Sequence, residues 1–465
     1  MPMGCCAQVW GRLSISFGRK WIMITGISLF ELGSLIAGVS RSMNMFIGGR
    51  AIQGIGGSCI QSVVMIITTE ITTIDKKPIV FSCLSLTFVV ASVIGPIIGG
   101  SFGTYATWRW CFYLNLCCGA IIFPFFVFSY RPKPPTGTFK DKLKTVDFFD
   151  NFLLIASCIL VLLALSFGQT GTTWRSASVI SCFTLSGILF ISFGIYNSYS
   201  KYPALPTNII TNPNIFTSFM VFTLNASTFM VLVQFLSVYF QNIIGYDSLH
   251  TGLSLIACAV STSITAIING ILMTKFGHIK IFCLCSGFLL PISVGLMVLL
   301  GTHKNTGFSI GFQILLGVSC GLNFQGPMMG ALIHAPKEPG SSILTTAWMN
   351  FGRNMGAAFF SELAGAIYTG SLKAGIKDIQ NEIDEDEYPI GEIITRTDLI
   401  QQLNNHDKEL VLGKVLRSVH NVFWLGLGIS IAALVFTVFM SGKKMPKQSE
   451  ETKESESEES QVEQV

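Results

Sequence analysis

The chain has 465 residues, of which 50% are hydrophobic and only 12% are charged, and its mean hydropathy is +0.58. Soluble domains carry about twice this charged fraction, so a lipid bilayer is the expected solvent for most of the chain. The net charge of +4 is too small to indicate nucleic-acid binding, and the thirteen cysteines lie mostly inside apolar runs, which favours packing over disulfides or metal sites.

Twelve segments are long and apolar enough to cross the hydrocarbon core, which takes about 20 residues. They lie at 22–40, 45–70, 79–103, 111–130, 149–168, 177–196, 215–240, 252–273, 281–300, 307–332, 343–370 and 421–440. Residues 1–10 predict only the last turns of a further helix, because ten residues are too short to cross alone.

Basic residues set the predicted orientation. If the loop at 11–20 is cytoplasmic, the short cytoplasmic loops hold fourteen lysines and arginines, and the opposite short loops hold only four. The same alternation places the C-terminal tail in the cytoplasm. The chain then divides into an incomplete N-terminal helical bundle at 1–130, a cytoplasmic linker with two extra helices at 131–200, and a C-terminal bundle at 201–440.

Two segments are predicted to lie outside the membrane. Residues 371–419 are polar and predict a long loop on the luminal or external side. Residues 441–465 are rich in serine, glutamate and lysine, which predicts a disordered cytoplasmic tail.

The stretch GRLSISFGRK at 11–20 predicts a short basic loop between two helices. Gly11 and Gly18 allow tight turns, and Arg19 and Lys20 anchor the loop on the cytoplasmic side. Taken alone, this composition predicts no more than a turn that follows the positive-inside rule.

The stretch RAIQGIGGSCIQ begins at Arg50, and its polar and small residues fall on one helical face at Arg50, Gln53, Gly54, Gly57 and Gln61. An arginine within a span is costly unless it is paired or hydrated, so it marks a functional site by default. The alternative is an arginine near the helix end that extends its charge to the membrane surface.

The stretch ASVIGPIIGGSFG repeats Gly95, Gly99 and Gly103 every four residues. Such spacing predicts a groove for close helix packing, and Pro96 predicts a kink beside it. Gly100 completes the GPIIGG run.

Polar residues inside the other spans are candidates for a transport cavity or for carrying protons. Glu31 is either a proton carrier or a carboxyl group hydrogen-bonded to a neighbouring helix. Gln61, with Asn225, Asn323 and Gln325 from the predicted C-terminal bundle, provides neutral polar groups. Arg353 and Glu362 share one span, but nine residues separate them, which places them on opposite faces.

These motifs together resemble the fourteen-spanner drug:proton antiporter branch of the major facilitator superfamily, and most of all its fungal vacuolar basic amino acid transporters. The similarity rests on the 11–20 loop, the R-x-x-Q-G-x-G pattern that starts at Arg50, GPIIGG at 95–100, WRWCFYLN at 108–115 and NVFW at 421–424. It implies an all-α polytopic membrane fold of six helices, two linker helices and six more. Measured against that pattern, the first helix and most of the second are expected to be absent.

The resemblance also implies roles for particular residues. The arginine at the position of Arg50 is associated with proton coupling in this superfamily, and an acidic residue usually stands where this chain has Ile15. That acidic residue helps to lock the two halves together on the cytoplasmic side.

The implied function is that of a proton-coupled antiporter, not an enzyme, that moves basic amino acids into the vacuole. Its partners are a small-molecule substrate, protons and the lipid bilayer, with no cofactor, no metal and no nucleic acid. A multidrug exporter at the plasma membrane is the alternative. A truncated, transport-inactive membrane paralogue is an alternative of a different class, and the oligomeric state stays open.

Overall fold

A computed structural model describes residues 2–73, 76–132, 147–169, 174–200, 203–302, 305–336, 338, 340–379 and 405–444. Within these ranges the chain forms helices and no strands. The helices are α1 Pro2–Cys5, α2 Ala7–Phe17, α3 Arg19–Gly38, α4 Met43–Ile71, α5 Lys77–Tyr105, α6 Trp110–Ser129, α7 Phe148–Gln169, α8 Ala177–Tyr199, α9 Thr207–Ile210, α10 Pro213–Val238 with a π-helical turn Tyr239–Ile243, α11 Ser248–Ser254, α12 Ile256–Phe276, α13 Ile279–Met297, α14 Thr306–Asn323, α15 Gly326–Ile333, α16 Ser341–Asp378 and α17 Asn405–Phe439.

All twelve predicted spans fall on helices. Among the described residues, ten helical segments are long and apolar enough to cross a membrane, and they match ten of the predicted spans. The other two predicted spans lie within α5 and α16, which run for 29 and 38 residues. The all-α polytopic fold is therefore confirmed.

The first group of helices is built around α3, which packs against α4 and α6. Gly33 and Gly56 lie directly against the backbone of the opposite helix, at Gln53 and Phe30, where a Cβ atom would have no room. The glycine-rich part of α4 is thus explained by close contact with α3. At the other end of these helices, Arg109 donates to the Ser40 carbonyl oxygen at 2.8 Å and fixes the start of α6.

Arg19 and Lys20 join the ends of three helices. The Arg19 guanidinium makes a two-pronged ion pair with Glu70 at the end of α4, with Nε 2.9 Å from Oε2. Lys20 Nζ donates to the Val127 carbonyl oxygen at 2.7 Å, near the end of α6. We call this the Gly18 end of the bundle, and the opposite end the Ser40 end.

The predicted 11–20 loop is much shorter than expected, because residues 11–17 belong to α2. Only Gly18 breaks the helix, with φ of 88°, a conformation that favours glycine. Gly11 has a different role from the predicted turn. It faces α16, and a Cβ atom built on it would lie 2.5 Å from the Cβ of Ala347.

The GPIIGG helix also differs from the prediction. A Cβ atom built on Gly95, Gly99 or Gly103 meets nothing within 4 Å among the described residues, so no described helix occupies this groove. Gly100 alone is close to another helix, because its built Cβ would lie 3.4 Å from Leu249. Helix α5 runs without interruption through Pro96 and packs instead on α11 and α12.

The second group, α10 to α17, has the largest apolar core of the described chain. One span is interrupted, since α14 ends at Asn323 and α15 begins at Gly326. The amide of Asn269 donates to the Leu322 carbonyl oxygen at 2.7 Å, which satisfies a backbone group that the break leaves without a helical partner.

The predicted linker helices, α7 and α8, pack on each other and on the rest of the chain at two places. At the Gly18 end, Asp150 of α7 accepts a bond of 2.7 Å from the Ala204 N–H, and Gln8 of α2 donates 3.0 Å to the Ala204 carbonyl oxygen. At the Ser40 end, Gln169 bonds to α16. The linker pair therefore contacts both groups.

The polar loop predicted at 371–419 is wrong in its extent. Helix α16 continues to Asp378 and α17 starts at Asn405, while the acidic run at 381–388 lies outside the described residues. The two helical extensions pack through buried apolar side chains, among them Leu372, Ile376, Val411 and Val415. The predicted tail at 441–465 is described only to residue 444.

Candidate functional site

A cavity of about 200 Å³ lies between the two groups of helices. It is lined from the first group by Met3 and Gln61, and from the second group by residues of α10, α12, α14 and α16. We call it the central cavity. Its walls combine aromatic and aliphatic side chains with a few polar groups, which is the usual composition of a small-molecule site.

The polar groups of the central cavity come mostly from amides. Gln61 Oε1 accepts a bond of 2.9 Å from Asn354 Nδ2, and this bond joins the two groups of helices. Asn225 Nδ2 and Asn323 Oδ1 are buried and have no hydrogen-bond partner among the described atoms. Unsatisfied buried polar atoms are costly, so these two are positioned to bind water or a ligand.

Arg353 is the charged residue among the described residues that line the central cavity. Its guanidinium lies over the rings of Phe324, 4.8 Å from the centroid, and Phe222, 5.7 Å away. Gln325, also predicted for the cavity, lies on the Gly18 side of it, where it lines a small void of about 20 Å³ together with Arg353 and Asn350. Gln325 is thus beside the central cavity and does not line it.

An apolar cluster closes the Gly18 end beneath the cavity. It brings Met65 and Phe81 of the first group against buried side chains of the second, such as Met273 and Leu344. Ile15 of α2 packs on the same cluster, and a Cβ atom built on Gly340 would lie 3.4 Å from its Cδ1 atom. The two groups are therefore in tight contact at this end.

Arg50 lies on the opposite side of the first group, towards the Ser40 end. Its guanidinium donates to Gln53 Oε1 and lies 5.7 Å from the centre of the Phe112 ring. Gln53 in turn donates 2.8 Å to the Ser34 hydroxyl, which also accepts a bond from Asn115 at 3.3 Å. Arg50 is exposed and makes no ion pair among the described residues, so the structure connects it with an amide and hydroxyl network rather than with a carboxylate.

Glu31 lies next to this network, one helical turn before Ser34 on α3. Its carboxyl group is directed at α6, where Gly119 leaves room for it. Its Oε2 atom is buried and has no hydrogen-bond partner within the described part of the chain. The two predicted alternatives for Glu31, a proton carrier or a carboxyl bonded to a neighbouring helix, both stay predictions.

Glu362 is not part of the cavity. Gln169 of the linker donates to the Glu362 carboxylate at 2.6 Å and to its carbonyl oxygen at 2.7 Å, so this residue fastens α7 to α16. Arg353 faces the central cavity on the other side of α16, as the helical spacing predicted.

The sequence did not reveal two kinds of side chain in the site, one amide and three aromatic rings. Asn354 was missed, although an amide next to a buried arginine was a usable signal. The aromatic side chains Phe222, Phe229 and Phe324 were missed because aromatic residues within a span are equally typical of lipid contact.

A family model described as Major Facilitator Superfamily matches residues 1–361. The chain belongs to this superfamily. It is therefore a multi-pass membrane transporter rather than an enzyme.

Fungal transporters are similar to this chain over most of its length. The chain is 30% identical to "Vacuolar basic amino acid transporter 5" of Saccharomyces cerevisiae, over 96% of this chain and 83% of that protein. It is 28% identical to "Azole resistance protein 1" of the same yeast, over 96% and 81% of the two chains. It is 31% identical to the "MFS-type transporter pigP" of Monascus ruber, over 93% and 76%.

Solved structures show the same fold at low sequence identity. The human organic anion transporter MFSD10 superposes with a TM-score of 0.54 and 13% identity, over 94% of this transporter and 81% of that one. A bacterial homologue of the human lysosomal transporter Spinster, in an inward-facing and occupied conformation, superposes with a TM-score of 0.51 and 12% identity, over 93% and 88%.

Proposed function

We propose that this transporter is a proton-coupled antiporter that carries small amphipathic organic compounds, neutral or anionic, through the central cavity. The observation that carries the proposal is the lining of the cavity. Aromatic rings accommodate an apolar body, the two unsatisfied amides Asn225 and Asn323 supply one donor and one acceptor, and Arg353 supplies positive charge.

The same lining argues against a cationic substrate. A lysine or arginine side chain that leaves water needs a carboxylate to offset its lost hydration. Among the described residues that line the central cavity none is a carboxylate. Glu31 lies between α3 and α6, and Glu362 is bonded to the linker, so neither of the two predicted intramembrane acids lines the cavity.

Proton coupling is proposed to depend on Glu31. Its Oε2 atom is buried without a hydrogen bond to the described residues, so this oxygen can take up or release a proton without breaking one. The network of Arg50, Gln53 and Ser34 begins one turn away on α3 and bridges to α4 and α6. A change in the charge of Glu31 can therefore alter the packing of α3, α4 and α6.

The second candidate is uptake of basic amino acids into the vacuole, which is supported by the 30% identical yeast relative of that name. The name of the azole resistance protein supports the first candidate. The two differ in substrate and in membrane, since a vacuolar location fits the amino acid transporter and the plasma membrane fits an exporter.

Purified transporter in liposomes with an imposed pH gradient separates the two candidates. We expect the gradient to drive flux of an azole compound or of a small organic anion, and a protonophore to abolish it. Arg353→Gln should weaken transport of the anion by at least tenfold and leave the neutral azole less affected. Saturable, gradient-driven flux of labelled lysine, with no azole flux, would refute the first candidate and support the second.

Proton coupling is tested separately with Glu31→Gln. We expect this variant to retain exchange of labelled for unlabelled substrate across the membrane, and to lose accumulation driven by the pH gradient. Glu362→Gln is the matched control, because that carboxylate is also within a span but is bonded to the linker, and it should keep both activities. Gradient-driven accumulation by Glu31→Gln would exclude Glu31 as the proton carrier.

A further inference from the structure

A second and larger cavity, of about 580 Å³, lies within the second group of helices towards the Ser40 end. It is bounded by α12 and α14 and by the turn after α10, and it shares no described lining residue with the central cavity. We call it the lateral cavity. Its volume is in the range of sites that enclose a drug-sized molecule.

The lateral cavity exists because α12 and α14 diverge. Near the middle of the bundle the two helices touch closely, since Gly317 lies against Ser261 and Gly321 against the backbone of Thr262. Above this contact the side chains of Ser309 and Gln313 face a space that neither helix fills. The glycine contact thus forms the floor of the cavity.

The walls are apolar and one side faces the membrane. Five apolar side chains of the lining are substantially exposed, and they form the rim: Leu253, Val260, Ile264, Ile310 and Ile314. In a bilayer this rim is in contact with lipid, so a molecule dissolved in the membrane can enter sideways. No charged side chain belongs to the described lining, so the cavity suits a neutral molecule.

One buried polar group has no use within the described protein. Gln313 is only 1% exposed, and its Oε1 atom has no hydrogen-bond partner in the described chain. Its Nε2 atom donates to the Ser309 carbonyl oxygen at 3.1 Å, which fixes the orientation of the amide because the reverse orientation would set two oxygens together. The Gln313 atom without a partner among the described residues is therefore the oxygen, a hydrogen-bond acceptor.

Two hydroxyl groups of the lining are consistent with this requirement. The hydroxyl of Ser254 donates to the His250 carbonyl oxygen and that of Ser261 donates to the Ala257 carbonyl oxygen. Because each hydroxyl group already donates its hydrogen to a backbone carbonyl oxygen, each can only accept a further hydrogen bond. A ligand must therefore bring a donor to Gln313.

From these observations we infer that the lateral cavity is a binding site for a neutral lipid alcohol of the sterol type. The apolar body lies between α12 and α14, and the hydroxyl group donates its hydrogen to Gln313 Oε1. The site is separate from the transported substrate, because the Gly317 contact stands between it and the central cavity.

The test uses the purified full chain in phosphatidylcholine liposomes that contain a photoreactive sterol with a free 3-hydroxyl group. A 3-keto form of the same probe has the same body and no hydrogen to donate. Two variants address the site: Gln313→Leu removes the acceptor at similar size, and Ile310→Trp fills the space from the rim. Ile292→Trp is the matched control, because Ile292 is 55% exposed on α13 and lines neither cavity.

We expect the hydroxyl probe to label peptides that contain 253–264 and 305–314. Gln313→Leu should lower this labelling at least fivefold, to the level that the keto probe gives with the unmodified chain. Ile310→Trp should remove labelling by both probes, and Ile292→Trp should change neither. Labelling that is spread over the lipid-facing helices, or that both site variants leave unchanged, would overturn the proposal, whatever the transport substrate is found to be.

Discussion

Replacing Gly11 by alanine tests whether the contact between α2 and α16 controls the closure of the Gly18 end. The added Cβ would lie 2.5 Å from the Cβ of Ala347. Two such carbons normally rest at about 3.5–4.0 Å, so the helices must separate by about 1 Å at this point. Overpacking of this kind costs about 1–3 kcal/mol.

This cost applies only to the closed arrangement, because an open Gly18 end would separate α2 from α16. Alanine also gains up to about 1 kcal/mol over glycine in helix propensity, but it does so whether the end is open or closed. The gain in helix propensity therefore does not change the free-energy difference between the open and closed arrangements, whereas the clash does. A cost of about 1–3 kcal/mol shifts the equilibrium towards the open arrangement by about 5- to 150-fold.

Pulsed electron paramagnetic resonance measures this shift as a change in the distance between spin labels at positions 76 and 275. Lys76 and Lys275 are suitable because both are exposed at the Gly18 end and belong to different groups of helices. We expect Gly11→Ala to populate a longer distance. Adding Ala347→Gly removes the second carbon and should restore the original distribution. Gly48→Ala is the control, since its new Cβ meets nothing within 4 Å. An unchanged distribution in Gly11→Ala would refute the reasoning.

Three further predictions concern the ends of the bundle. Ile15 packs beside the start of α16, where the helix dipole favours a negative charge. Ile15→Asp should therefore favour the closed arrangement by about 0.3–1 kcal/mol relative to Ile15→Asn, which has the same shape without the charge. Equal spin-label distances in the two variants would contradict this. The side chains of Arg19 and Glu70 are 23% and 33% exposed, so their ion pair is partly hydrated. A double-mutant cycle on thermal stability should therefore give a coupling energy of at most about 1 kcal/mol. A coupling energy above about 2 kcal/mol would contradict this and indicate that the pair is more deeply buried. The positive-inside rule predicts that protease added to sealed, cytoplasm-side-out vesicles removes a C-terminal tag and spares residues 380–404, and cleavage of that segment alone would reverse the orientation.

The spans were predictable because they depend on local properties. About 20 apolar residues in a row must be helical in lipid, since no other local structure satisfies the backbone there. The break between Asn323 and Gly326 also has a local signal in the sequence, because glycine and proline stand where a polar residue interrupts an apolar run. Neither inference needed to know which helices touch.

The error at 371–419 has a physical cause. The extensions of α16 and α17 are polar on their outer faces, and their composition therefore resembles that of a loop. The signal that was overlooked is the spacing of Val411, Val415 and Val419, which lie four residues apart and are all fully buried. That spacing marks one face of a helix.

The site was only partly legible from the sequence. Gln61, Asn225, Asn323 and Arg353 stood out as polar residues within spans, and the structure brings all four to one cavity. Glu362 stood out for the same reason and faces the linker instead. Polarity within a span shows that a partner exists, but only the packing of distant helices shows whether that partner is a ligand or another helix.

Helix α16 contacts four parts of the molecule in turn: α2 at Ala347, the central cavity at Arg353 and Asn354, the linker at Glu362, and α17 at Asp378, whose carboxylate lies 3.9 Å from Lys414 Nζ. Its 38 residues contain no proline and span about 57 Å. A rod of that length tilted by about 10° at one end moves the other by about 10 Å. A fluorophore near Asp378 would therefore report, as a displacement of several ångströms, a small tilt of α16 that begins near Ala347 on the opposite side of the membrane.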